Sequence, residues 1–198
     1  MLATRSTEDT HQRLLSATRT LLAQKGRRGT TTREIADLAG LNEATLFRHF
    51  GSKDALVEAC VAHYCTAEEL EQLMASLDGD LESDLRRIGL ALIARMENLR
   101  DLIVMSLAEA ETDGPVGTAP WRGPIAIRQL LTEYMTKRVA AGELEGDPVF
   151  LARFFMGMIF AHVMGRKKFP LEYPSDPQQV LELQLRVFLN GSRAKVER

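Results

Sequence analysis

The sequence predicts an all-α protein, and three observations carry the prediction. Proline is scarce, seven in 198 residues. No sustained Val/Ile/Thr/Tyr alternation signals a strand, and the Asp-Gly and Asn-Gly pairs at 78–79, 113–114 and 190–191 are not flanked by two such runs, so none signals a hairpin. From the first segment onward apolar residues repeat at helical spacing, as in Leu14, Leu15, Ala17, Thr18, Leu21 and Leu22. Hydrophobic residues at 45% and charged residues at 26% suit a globular chain that buries a core. The length suits one large domain or two small ones.

The elements follow in order. A first helix is expected over residues 7–25, with Gly26 placed to end it in a left-handed cap. Arg27-Arg28-Gly29 is a short basic link. Thr31-Thr32-Arg33-Glu34 reads as a capping box, in which a threonine hydroxyl meets free N–H groups and the glutamate reaches back. The second helix carries Ile35, Ala36, Leu38 and Ala39 and stops at Gly40. Asn42 caps a third helix over 43–50, and Gly51 ends it. A long fourth helix is expected from Ser52 to about residue 76. Residues 77–80 break the chain, and a fifth helix (81–98) and a sixth (99–111) follow. Residues 112–123 hold two prolines, three glycines and the lone Trp121, and read as a loop. A seventh helix (124–141), an eighth (147–166) and a ninth (177–190) complete the chain, with an extended stretch at 167–176 and a frayed tail. The expected organisation is a head over 1–54 and a body over 55–198.

Charge and composition narrow the function. Residues 1–54 hold nine basic and six acidic side chains, a net +3, whereas the remainder carries −5. A basic head on an acidic body is expected where the head alone meets phosphate. The N-terminus lacks the apolar core of a signal peptide, and residues 150–165, broken by Arg153 and His162, read as too short and polar to span a bilayer. A cytoplasmic location and no membrane partner are therefore expected. Cys60 and Cys65 fit neither a disulfide framework nor a CxxC motif and read as reduced packing residues. Only His11 follows a glutamate (Glu8) at three-residue spacing, whereas a di-iron bundle needs two such motifs on facing helices, and no Walker loop, GxSxG, HExxH or dinucleotide fingerprint occurs. No enzyme activity, metal or cofactor is expected. A helical module whose hairpin binds protein is the rival class.

Residues 31–53 carry the chemistry. Two short helices are joined by Gly40-Leu41-Asn42, where glycine permits the positive φ of a steep turn. Ile35, Leu38, Leu41, Leu46 and Phe50 are expected to form a miniature core. Glu43, Ala44, Thr45, Phe47, Arg48 and His49 then face outward. In such a unit the second helix enters the major groove, and flanking cations hold phosphate.

The run GRRGTTTREIADLAGLNEATLFRHFGSKDAL resembles the pattern of the TetR family of transcriptional regulators. The match covers roughly residues 11–58 and is dense and ordered. The resemblance implies that Thr32 hydrogen-bonds a phosphate and that Arg33 reaches a base or a nearby phosphate. It implies that Glu43, Ala44 and Thr45 lie at the major-groove face, and that His49 and Lys53 hold phosphates. Phe47 departs from the usual tyrosine: its ring packs on the backbone, but it has no hydroxyl to donate. Arg48 reads as an exposed cation. Glu43 either accepts from cytosine N4 or points at solvent.

One head offers a small contact area, so a homodimer reading a near-palindrome on double-stranded DNA is expected. The last two helices are apolar on most sides, as a buried or interface helix is. Phe150, Phe154, Gly157, Ile159, Leu181, Leu185 and Phe188 are the dimer candidates, with an intrachain core as the alternative. The resemblance also places a four-helix dimer bundle here. The intervening helices resemble the family's ligand domain. Met96, Met105, Trp121, Tyr134, Met135, Phe155 and Met158 are candidates to line a cavity for a small apolar or amphipathic effector. His63, Tyr64, Glu97 and His162 are its possible polar contacts. The expected mode is repression released by the effector.

Overall fold

The computed structural model describes residues 2–77, 79–110, 119–166 and 176–192; the side chains of 2–6, 106, 108–110 and 119–122 lie outside the description. Ten helices appear among the described residues, and no strand. They fall into two units.

The first unit holds residues 1–66 and 101–123. Its helices are α1 (Leu2–Gly29), α2 (Thr32–Leu38), α3 (Glu43–Phe50) and α4 (Lys53–Tyr64), with most of α7 (Arg100–Ala110) and the first residues of α8 (Ala119–Ala140). Helix α1 is interrupted where the sequence predicts its end: Gly26 has φ 67° and ψ 177°. Leu14, Leu15, Ile35, Leu46 and Leu56 are fully buried and tie α1, α2, α3 and α4 together. The boundary expected at 54/55 falls inside α4, which packs against α1. Cys60 is part of this core: its Sγ donates to Leu15 O at 3.6 Å, and burial first, then the nearby Cys65, pushes its thiol up to about 12 against the pull of Arg19. At the far end of α4, Gly123 comes against the Cys65 carbonyl, and a Cβ there would lie 1.6 Å from that oxygen.

The second unit holds residues 67–100 and 124–198. It contains α5 (Glu68–Ala75), α6 (Leu81–Asn98), the rest of α8, α9 (Pro148–Gly165) and α10 (Pro177–Ser192). The long fourth helix expected over 53–76 is two helices, α4 and α5, because Cys65 and Thr66 leave the helical path. Helix α8 begins at Ala119, five residues before the expected start, and carries Pro124 inside. Leu85, Ile88, Leu92, Leu131, Phe155 and Phe188 fill the centre of the unit. The close crossing uses Gly89 of α6, where a Cβ would lie 2.6 Å from Leu181 Cδ1 of α10. Gly157 of α9, one of the dimer candidates, has nothing within 4 Å of its Cβ direction and makes no such crossing within the chain. Helix α9, at 18 residues and mean hydropathy 1.5, is long and apolar enough to cross a bilayer, contrary to the reading of residues 150–165 as too short. A core helix of a water-soluble protein has the same composition, and Leu151, Ala152, Phe155, Ile159, His162 and Val163 are buried here in the unit's own core.

Candidate nucleic-acid interface

Local chemistry builds both helices of the hairpin. Thr31 is the N-cap of α2: its Oγ1 accepts from Glu34 N at 3.2 Å, and Glu34 Oε2 accepts from Thr31 N at 3.0 Å. Both arms of the expected capping box are formed, with Thr31 rather than Thr32 as the cap. Lys25 pairs with the same carboxylate, and its bond, aided by those from Thr31, pulls Glu34 down from the ordinary 4.5 to about 2. Because the folded value lies below the unfolded one, this stabilisation is complete above the unfolded value and is lost as pH falls toward 2. Carboxyl-carbon NMR should show Glu34 titrating near 2, with the Glu34 amide shifting in the same step. A midpoint near 4.5 would show the box to be open.

Helix α3 starts in the same manner. Asn42 Oδ1 accepts from Thr45 N at 2.7 Å and from Thr45 Oγ1 at 2.8 Å, so the Thr45 hydroxyl is spent on the cap. The turn between the helices depends on a residue that sequence reasoning missed. Arg13 of α1 donates through Nε and Nη2 to Ala39 O at 3.1 and 2.7 Å, and through Nη2 to Gly40 O at 3.2 Å. Those carbonyls close α2, and the guanidinium satisfies them from 26 residues away. Gly40 has φ 65°, and a Cβ there would sit 2.9 Å from Arg13 Nη2. Its left-handed backbone favours glycine, and a side chain there would also have to push the Arg13 guanidinium aside.

The outer face of α3 is largely as expected. Ala44, Phe47 and Arg48 are exposed, whereas Glu43, Thr45 and His49 are half-buried. Arg33 is exposed on α2. Ile35 and Leu46 are buried between the helices, but Leu38, expected in the miniature core, is 54% exposed. Thr32 Oγ1 donates to Glu43 Oε1, which ties the first residue of α2 to the first of α3. Lys53 Nζ donates to Arg27 O at 2.7 Å, and Arg27 pairs with Asp54 at 2.8 Å, which lowers the Asp54 carboxyl. The cations around the link before α2 are thus held in place at one end of the hairpin. His49 lies with Phe50 and His11, the His11 and Phe50 rings being 4.5 Å apart.

The candidate effector residues are distributed as follows. Met105 is buried in the first unit. Tyr134, Met135 and Phe155 are buried in the second, with Met96 and Met158 packed against the same core. Trp121 lies in α8, its side chain outside the described residues. Among the polar candidates, His63 is exposed with its ring edge-on to Tyr64 at 4.8 Å, and Tyr64 lies 4.7 Å beneath the Arg19 guanidinium. Glu97 pairs with Arg166 at 3.0 Å. His162 is fully buried; burial and Arg166 lower its pKa, and Glu97 opposes them. Arg100, which the sequence did not single out, donates to Val163 O and Met164 O at the end of α9.

The dimer candidates divide into two sets. Phe150 and Phe154 are exposed with rings 6.2 Å apart, and Gly157 is exposed beside them. Ile159, Leu181, Leu185 and Phe188 are buried within the chain and cannot present themselves to a partner as the unit stands. The residues that extend the exposed apolar face are instead Val149, Leu183 and Val187.

A hairpin with a capped second helix, an open outer face and cations at its edge is the helix-turn-helix of a transcriptional regulator. Residues 14–60 match the family model for bacterial regulatory proteins of the tetR family. The chain is 33% identical over 187 residues to the uncharacterized HTH-type transcriptional regulator YvkB of Bacillus subtilis (strain 168), covering 93% of this chain and 98% of that protein. The protein belongs to the TetR family of transcriptional regulators. It is also 32% identical over 118 residues to the HTH-type transcriptional repressor Rv3405c of Mycobacterium tuberculosis (strain ATCC 25618 / H37Rv), covering 59% of this chain and 55% of that one. The fold is similar to that of the fatty acid degradation regulator FadR from Bacillus halodurans, with a TM-score of 0.77 at 16% identity over 92% of this chain and 95% of that chain.

Proposed function

We propose that the protein is a cytoplasmic repressor that binds a near-palindromic operator as a homodimer and is released by a small apolar or amphipathic effector. The observation that carries the DNA-binding part is the outer face of α3, with Ala44, Phe47 and Arg48 exposed between Arg33 and the tethered Lys53. In this reading Glu43, Ala44 and Thr45 meet base edges, Phe47 packs on the sugar-phosphate backbone, and Thr32, His49 and Lys53 hold phosphates. The exposed apolar face of α9 and α10 supports the dimer. The methionine- and aromatic-rich core of the second unit supports an apolar effector. Effector binding would favour a conformation in which the two recognition helices no longer match successive major grooves.

Selection of bound duplexes from genomic fragments gives the operator and tests the reading directly. Affinity should then fall steeply with salt. Lys53→Ala should reduce the slope of log K against log salt by about one, since one phosphate contact is lost. Arg33→Ala should weaken operator binding by about tenfold or more. Unchanged binding in both variants would remove these residues from the interface.

A further inference from the structure

Two side chains on this face are bonded to each other, although neither is needed to start its own helix. Thr31 caps α2, so the Thr32 hydroxyl is not required there. Asn42 caps α3, so the Glu43 carboxylate is not required there. Yet Thr32 Oγ1 donates to Glu43 Oε1 across the hairpin. The hydroxyl that would meet a DNA phosphate is therefore already bonded to an anion of the chain itself. That anion stands at the first turn of the helix assigned to the groove.

We propose that Glu43 is a specificity-determining residue that acts as an intramolecular substitute for phosphate. Any duplex that engages Thr32 must displace the carboxylate. Non-cognate DNA offers the displaced carboxylate only repulsion from its backbone. A site that presents a cytosine N4 amino group at the right step gives it a new donor in the major groove. The pair therefore penalises all DNA and repays the penalty only at the cognate base pair, which is how a contact raises discrimination without raising affinity. This inference rests on α2 and α3 being the DNA face.

The test measures Kd for the selected operator and for a random duplex of equal length, at matched salt, for the wild type, Glu43→Gln, Thr32→Val and the double variant. Glu43→Gln keeps the size of the side chain, and thermal melting checks that the fold is intact. The random duplex should bind Glu43→Gln roughly tenfold more tightly, as expected for removing a charge-assisted competitor. Operator affinity should rise less or fall, so the specificity ratio drops about tenfold or more. A repeat selection with Glu43→Gln should lose preference at one cytosine in each half-site and keep the rest. The gain on random DNA should shrink when Thr32 is already valine, because the two residues compete for one contact. A ratio unchanged by Glu43→Gln, whether both affinities rise equally or neither moves, overturns the proposal while leaving the DNA face in place. A wild-type protein that retains no duplex in the selection overturns the DNA face itself, and the proposal with it.

Discussion

Asp84→Ala is expected to lower the stability of the second unit by about 3–5 kcal/mol, a large fraction of the roughly 5–15 kcal/mol typical of a folded domain. Asp84 is fully buried near the start of α6. Its Oδ2 accepts from Arg138 of α8 and, at 3.2 Å, from the Tyr134 hydroxyl. Arg138 also donates to Gly79 O at 2.7 Å and to Glu143 at 2.8 Å, and its guanidinium lies 4.9 Å from the centre of the Tyr134 ring. Burial pushes the Tyr134 phenol above its usual range, so the hydroxyl stays protonated and remains a donor. Truncating Asp84 strips the guanidinium of its most buried counter-ion and leaves the phenol without its acceptor. Glu143 remains as a second partner for Arg138, but it is partly exposed and its pull is screened. The desolvation of Arg138, left with the Gly79 carbonyl and that partly exposed partner, therefore decides the outcome. Urea unfolding of Asp84→Ala, Arg138→Met and the double variant checks this. The double variant should be more stable than the sum of the two losses predicts, because it removes both charges together. Additive losses would mean that the pair is not coupled.

The second large effect concerns association. Phe150→Glu with Val187→Glu should yield a monomer in sedimentation velocity and reduce operator affinity by roughly 100-fold or more, the advantage lost when two linked heads become one. Phe150 and Val187 are 64% and 66% exposed in the single chain, so the charges should leave its own fold nearly unchanged. The five exposed apolar side chains of α9 and α10 form the kind of face that marks an association site. A variant that stays dimeric, or a monomer that binds as tightly as the wild type, would displace the interface from this face. The same substitutions at Phe155 or Phe188 would not be informative, since both are buried within the chain and a charge there would unfold it.

The parts of this structure that were legible in the sequence are those whose chemistry is local. Thr31 with Glu34, Gly40, and Asn42 with Thr45 act within three residues, so residue type and spacing alone predict the cap, the turn and the next cap. Arg13 was not legible, because its acceptors lie 26 and 27 residues away and nothing around it in α1 distinguishes it from a solvated cation. Asp84 reads as an ordinary acid in the first turn of a helix, and only the approach of α8 shows it to be buried. In α9 and α10 apolar residues lie on most sides, so periodicity could not tell which side meets the chain's own core. The fold assigns Ile159, Leu181, Leu185 and Phe188 inward and Phe150 and Val187 outward. Leu38 was placed in a core by its residue type, but α2 is only seven residues long and turns that position to solvent.

The reach of Arg13 across the hairpin bears on modularity. Residues 31–53 look like a portable cassette, complete with caps and turn. Yet the carbonyls that end α2 are satisfied by a side chain of α1, and the space beside Gly40 is occupied by that same guanidinium. The angle at which α3 is presented is therefore set in part from outside the motif. Transplanting the two helices onto another scaffold would carry over the reading residues without the strut that aims them. The inheritable unit is the whole span from α1 to α3.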